Sequence, residues 1–146
     1  MTPRGTRDGE NVSHPNATIV SMERDLQLTE AIIGAAIEVH RELGPGLLES
    51  TYEQCLLHQL RDVGLEAERQ RSLPVYFKGV RIDCGYRVDL LVEDAVPIEL
   101  KSLQGILPIH EAQLLTYLKL GNWNTGLLIN FNVTLLKNGL RRLDKK

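Results

Sequence analysis

Residues 86–101 read YRVDLLVEDAVPIELK, and this stretch decides the fold. Tyr86 to Val92 and Val96 to Lys101 are rich in aliphatic and β-branched residues, which suit strands. Glu93-Asp94-Ala95 between them is a tight turn. Successive side chains of a strand point to opposite faces. Val96, Ile98 and Leu100 therefore share one face, and Glu99 and Lys101 share the other. If the two strands pair as a hairpin, Asp89 comes to the level of Glu99 or Lys101, allowing for a bulge. The hairpin then gathers two carboxylates and an ammonium on one spot.

Upstream of the hairpin, residues 65–77 alternate loosely and contain Val75, Tyr76 and Phe77. Lys78-Gly79 marks a turn, and strand character resumes at Val80. Two helices precede this region. Leu28, Ile32, Ile33, Ala36, Val39 and Leu43 form one apolar helical face, with Thr29 as a candidate N-cap. Gly44-Pro45-Gly46 stops that helix. The second helix runs from Glu49 to Val63 on a face of Leu48, Tyr52, Leu56, Leu60 and Val63, and Gly64 ends it. The polar residues 1–24, broken by Pro3, Gly5 and Pro15 and lacking a period, read as a disordered tail. Residues 25–146 then form a single domain, and Met22 is a candidate natural start of translation.

Downstream, residues 102–107 form a loop and Pro108 opens a third helix reaching Leu120. Ile109, Ala112, Leu114 or Leu115, and Leu118 turn inward. Gly126 to Phe131 is an apolar strand, and Leu135 to Leu143 a last strand or a hairpin around Asn138-Gly139. The order is ααβββαββ. It describes an α/β (α+β) fold with a mixed central sheet flanked by helices, the third helix connecting two strands.

Composition narrows the function. A chain of 146 residues, 42% apolar and 25% charged, can bury a core without disulfides or metals. A net charge of −2 excludes a strongly basic domain held to nucleic acid by phosphate contacts alone. Two cysteines, Cys55 and Cys84, exclude a disulfide framework and a four-thiolate metal site. No apolar run approaches the ~20 residues of a membrane span, and the N-terminus lacks the apolar core of a secretory signal. The expected setting is cytoplasmic, with reduced thiols. There is no phosphate-cradling GxxxxGK[ST] loop, and His110-Glu111 lacks its second zinc histidine because Leu114 stands there. His14, His40, His58 and His110 have no metal-ligand spacing and read as surface or satisfied histidines.

Asp89, Glu99 and Lys101 remain as the chemistry-bearing group. Two carboxylates hold a hard cation such as Mg²⁺ or Mn²⁺ through oxygen. A nearby lysine can orient a water or stabilise charge on a phosphoryl group. A solvated strand face also carries such alternating charges. Glu49 opens the second helix, where the helix dipole favours an acid in any case. Gln113 and Tyr117, four apart, share a helix face.

Gly46-x-x-Glu49-x-x-Tyr52, with GAAIEVHRELGPGLLESTYE, GYRVDLLVED, IELKS, HEAQLLTYLKL and GLLINFNV, resembles the GxxExxY proteins of the PD-(D/E)XK nuclease-like superfamily. The resemblance covers roughly residues 26–143. It implies a restriction-endonuclease-like core in αβββαβ order. Asp89 resembles the first acidic ligand of that core, Glu99 and Lys101 its (D/E)xK pair, and Glu49 its helix-borne acid. Gln113 and Tyr117 resemble the QxxxY element that follows. The superfamily's Pro-Asp pair is here Val88-Asp89. The implied function is a nuclease using Mg²⁺ or Mn²⁺, held by Asp89, Glu99 and the Leu100 carbonyl, with Glu49 completing the acidic cluster directly or through water. DNA is expected as substrate ahead of RNA. Arg69, Arg71, Lys78 and Arg87 are candidate phosphate contacts, and a homodimer or a protein partner is compatible with the small core. The alternative is a non-catalytic module that keeps the fold and binds nucleic acid or protein.

Overall fold

The strands on either side of Glu93-Asp94-Ala95 pair antiparallel, with Leu90 opposite Ile98 and Val92 opposite Val96. They are β4 (Arg87–Val92) and β5 (Val96–Lys101), at the centre of the sheet. The structure, a computed structural model, describes residues 10–146, with side chains from residue 19 onward. The other elements are α1 (Glu10–Leu43), α2 (Glu49–Asp62), β1 (Ala67–Ser72), β2 (Val75–Phe77), β3 (Val80–Ile82), α3 (Pro108–Gly121), β6 (Thr125–Asn130) and β7 (Leu140–Asp144). A single 3₁₀ turn over Leu136–Gly139 leads into β7, where the sequence left a strand or hairpin open.

Five strands form one mixed sheet in the order β1-β4-β5-β6-β7. β5 and β6 are parallel, joined through α3, and the other neighbours are antiparallel. One sheet face, with Leu90, Val92, Val96, Ile98, Leu100, Leu127 and Ile129, packs against α1 and α2. On the other, Leu91 joins Leu73, Tyr117, Leu118 and Trp123 under α3. Each fully buried Leu or Ile contributes roughly 1.5–3 kcal/mol through burial. That explains why the helices settle with Ile32, Ala36, Tyr52, Leu56 and Leu60 inward.

Four expectations need correction. The helix expected from Leu28 begins at Glu10, so residues 10–24 of the expected tail are helical, while residues 1–9 lie outside the described part. Asp25 is buried and accepts a hydrogen bond from Asn124 Nδ2 at 3.4 Å, so the helix is already held to the domain before its apolar face begins. Thr29 lies inside α1, where its Oγ1 donates to the Leu26 carbonyl at 2.9 Å, and is not a cap. Leu43, Leu48 and Val63, at helix ends or beyond, are exposed, as are Ile109 and Ala112. α3 instead turns Leu114, Tyr117 and Leu118 inward.

The fourth concerns the two long strands expected over residues 65–77 and 80–92. Each is broken in two. Pro74, which lacks a backbone donor, separates β1 from β2. Residues 83–86, with Gly85 at φ 80°, separate β3 from β4. β1 pairs with β4 in the main sheet, while β2 and β3 pair only with each other, as a separate two-stranded ribbon. Lys78 and Gly79 both have positive φ, as a two-residue hairpin turn of the type that matches strand twist requires. Among the described residues, no helix is long and apolar enough to cross a membrane.

Candidate active site

The β4–β5 ladder stops at Leu90 and Ile98, and the next residues in register are Asp89 and Glu99. There the backbone pairing is replaced by the two carboxylates. The Asp89 N–H donates to Glu99 Oε2 at 3.0 Å, and the Leu100 N–H donates to Asp89 Oδ2 at 2.8 Å. Of the two levels the sequence allowed for Asp89, the structure takes that of Glu99.

Burial makes this pair electrostatically costly. Glu99 is 5% exposed. Its carboxyl is pushed up to about 8, first by burial and then by the charge of Asp89. The hydrogen bond from Asp89 and the charge of Lys101 oppose that rise, and Glu49 adds to it. Asp89 is also raised, first by burial, with the Glu53 charge adding to it. The Leu100 N–H, Lys101 and Gln70 pull it back. Lys101, half-buried, follows Glu99 by two residues on the same strand.

The loop before α2 brings Glu49 to this end of the sheet. Gly44 and Gly46 adopt φ 69° and 102°, which only glycine takes without strain. Tyr52 pins the loop, its hydroxyl donating to the Gly44 carbonyl at 2.5 Å and accepting from the Leu47 N–H at 3.2 Å. Its ring stacks on Phe131 with centroids 4.4 Å apart. The Ser102 N–H then donates to Glu49 Oε2 at 3.2 Å, and Ser102 Oγ donates to the Leu47 carbonyl at 2.6 Å. The spacing Gly46-x-x-Glu49-x-x-Tyr52 thus encodes a turn, an acid and the peg that holds both. On the other side of Lys101, buried Asn130 ties down the next loop, accepting from the Leu103 N–H and donating to its carbonyl, each at 3.0 Å.

Gln113 Nε2 donates to the Tyr117 hydroxyl at 3.1 Å, so the two α3 residues act as one unit. Burial and then the charge of Glu99 raise the Tyr117 phenol. Tyr86 lies beside it, ring centroids 6.3 Å apart.

Sequence reasoning misses two residues at the site, Glu53 and Gln70. Glu53 is 5% exposed and accepts from Arg69 Nε and from Gln70 Nε2, each at 2.8 Å. Gln70 Nε2 also reaches Asp89 Oδ1 at 3.4 Å. Gln70 holds a positive φ of 58° in the middle of β1, opposite Asp89, where the β1–β4 ladder skips a pair. Glu53 was detectable as an acid on the inward stripe of Tyr52, Leu56, Leu57 and Leu60. No local signal marks a left-handed Gln70.

The candidate phosphate contacts divide. Arg69 is committed to Glu53, and Arg71 pairs with Glu68 at 2.6 Å and Asp94 at 3.5 Å. Arg87 lies beside the site, contacting the Gln70 carbonyl and Ser72. Lys78 sits at the tip of the ribbon, its Nζ 5.5 Å from the Phe77 ring centroid.

Among the described residues, no three His, Cys, Asp or Glu side chains converge closely enough to hold a metal ion. Of the two roles expected of Glu49, direct or through water, the direct one is not formed; its charge reaches Glu99 while its Oε2 accepts from the Ser102 N–H. The two-carboxylate set still suits a hard divalent cation, because positive charge between Asp89 and Glu99 would relieve the repulsion and burial that drive both toward protonation.

No curated protein and no solved structure matches this chain. The family model described as the PD-(D/E)XK nuclease superfamily matches residues 26–143. That match takes in α1 from residue 26 onward, α2, α3, every strand up to residue 143 and every residue of the site, and the chain belongs to the PD-(D/E)XK nuclease superfamily.

Proposed function

We propose that the chain is a Mg²⁺- or Mn²⁺-dependent phosphodiesterase that cleaves nucleic acid, DNA ahead of RNA. The observation that carries this reading is the level pair of buried carboxylates, Asp89 and Glu99, with Lys101 two residues beyond. Asp89, Glu99 and the Leu100 carbonyl would hold the cation, which supplies a Lewis acid for the phosphoryl oxygen and lowers the pKa of a bound water. Lys101 orients the attacking water or donates to the charge that develops on the phosphoryl oxygens. Glu49 acts from a distance, through its charge on Glu99. Gln113 fixes the Tyr117 hydroxyl, which serves the substrate side of the same acids. Arg87 is the phosphate contact beside the acids.

The test is Mn²⁺ calorimetry on the wild type and on Asp89→Ala in parallel, followed by a cleavage screen over single- and double-stranded DNA and RNA. Binding that is lost in the variant, with metal-dependent cleavage by the wild type, is the expected result. If neither protein binds Mn²⁺ and nothing is cut, the nuclease reading fails and the chain is a binding module built on a nuclease fold.

A further inference from the structure

We propose that the β2–β3 ribbon is an arm that docks unpaired nucleotides beside the active site. The proposal rests on the reading of the chain as a nucleic-acid-processing domain, and it concerns a surface separate from the acids. Two-stranded ribbons standing alone in water are marginal, so one left uncovered calls for an occupant. Tyr76, Phe77 and Val80 are each 60% exposed, and Ile82 and Tyr86 are exposed as well. No other strand of the described residues pairs with the ribbon.

Its chemistry selects the occupant. The ribbon and its root, residues 74–87, carry Lys78, Arg81 and Arg87 against a single acid, Asp83, in a chain whose net charge is −2. Each ribbon face offers an aromatic ring with a cation. Tyr76 stands opposite Arg81, which also pairs with Asp83 at 3.1 Å, and Lys78, which makes no such pair among the described residues, lies over the Phe77 ring. Rings interleaved with cations form a platform for bases, because every base has a π-face and every linking phosphate a negative charge. A base paired within a duplex has its faces covered by its neighbours, so the rings select unpaired strands. A second copy of the chain is a poorer occupant. A symmetric contact through this ribbon would bring the cationic patch of Lys78, Arg81 and Arg87 against the same patch of the other copy.

The arm is also joined to the site. The Leu73 N–H donates to the Tyr86 carbonyl at 2.8 Å, closing the root of the ribbon. Tyr86 then lies against Tyr117, and Arg87 reaches the carbonyl of Gln70, whose side chain contacts Asp89. A strand lying along the ribbon is led toward the carboxylates.

Fluorescence anisotropy in EDTA tests the proposal without cleavage. The probes are a labelled single-stranded DNA oligonucleotide and its blunt duplex. The proteins are the wild type, Tyr76→Ala, Phe77→Ala, the double variant and Lys78→Glu, with thermal unfolding checking that each is folded. Each ring lost removes a stacking platform, so the double variant should lose at least about tenfold in affinity for the single strand. Lys78→Glu should weaken it as well, and duplex binding should change little. Equal affinity of the double variant, or no binding of the single strand by the wild type, overturns the arm. So does a wild-type dimer in sedimentation that the double variant abolishes, since the ribbon is then a self-association surface. Glu99→Gln separates this proposal from the nuclease reading. Arm-dependent binding retained by that variant shows that the arm works without the acids, and arm-dependent binding by a wild type that neither binds Mn²⁺ nor cuts leaves the arm standing while the nuclease reading fails.

Discussion

Asp89 and Glu99 are fastened to each other's strands, with Glu99 Oε2 accepting from the Asp89 N–H at 3.0 Å and Asp89 Oδ2 accepting from the Leu100 N–H at 2.8 Å. The sheet opens by one residue pair at this point, and the carboxylates take over the donors that the ladder would have used. Each acid is therefore fixed in place by the backbone of its neighbour. The arrangement keeps two negative charges close together in a buried place, and its consequences can be measured.

The first is a pH dependence of stability in metal-free protein. Burial and Asp89 push Glu99 from its ordinary 4.5 up to about 8. The folded state then binds the proton more tightly than the unfolded state. That contribution to stability is complete below about 4.5 and is lost as pH rises through about 8. Urea denaturation in EDTA across this window should show wild-type stability falling. Glu99→Gln keeps an oxygen acceptor for the Asp89 N–H and removes the charge, so it should be flatter with pH and more stable than the wild type at pH above about 8. A variant profile that parallels the wild type would place the titration elsewhere.

Lys101→Ala should fold as the wild type does, since the side chain is only half-buried and lies at the end of β5. Cleavage should fall by at least about a hundredfold, the usual loss when one donor to developing charge is removed. Mn²⁺ binding should persist, because the carboxylates are untouched. A rate assay on the substrate found by screening, with calorimetry beside it, decides the point. Wild-type-level cleavage by the variant would remove Lys101 from the chemistry.

Tyr52→Phe separates the two jobs of the tyrosine. The ring keeps its stacking on Phe131, but the Gly44 carbonyl and the Leu47 N–H lose their partner. Stability should drop by about 1 kcal/mol, the ordinary net worth of such a bond. Hydrogen exchange at Leu47 and Ser102 should accelerate, because the loop that carries both contacts to this end of β5 is loosened. Unchanged exchange at both amides would show that the glycines alone hold the turn.

How much of this was legible in the sequence depends on where each cause lies. The β4–β5 hairpin and its level acids are local, since strand alternation and one turn place Asp89, Glu99 and Lys101 together. Gln113 and Tyr117 follow from a four-residue helical step. The separate ribbon was hidden because Pro74 and Gly85 break two runs that keep strand character on both sides of the break. The early start of α1 was hidden because what holds Asp25 is Asn124, distant in sequence. The role of Glu49 comes from the family resemblance alone, and its contact with Ser102 depends on how the five-residue loop from Gly44 to Leu48 is pegged by Tyr52.

Gln70 is the least legible residue and gives the sharpest remaining test. A non-glycine residue at φ 58° costs roughly 1–2 kcal/mol, and here it lets one amide bridge Glu53 and Asp89. Gln70→Gly removes the backbone cost along with the bridge, so its stability should stay within about 1 kcal/mol of the wild type. Gln70→Asn tolerates the same backbone but is one methylene too short to span both acids. Both variants should lose about tenfold in Mn²⁺ affinity and in cleavage, because Asp89 is then positioned only by the Leu100 N–H and Glu53 repels it without an intervening donor. If Gln70→Gly binds metal as well as the wild type does, the left-handed residue serves the β1–β4 junction and not the acid.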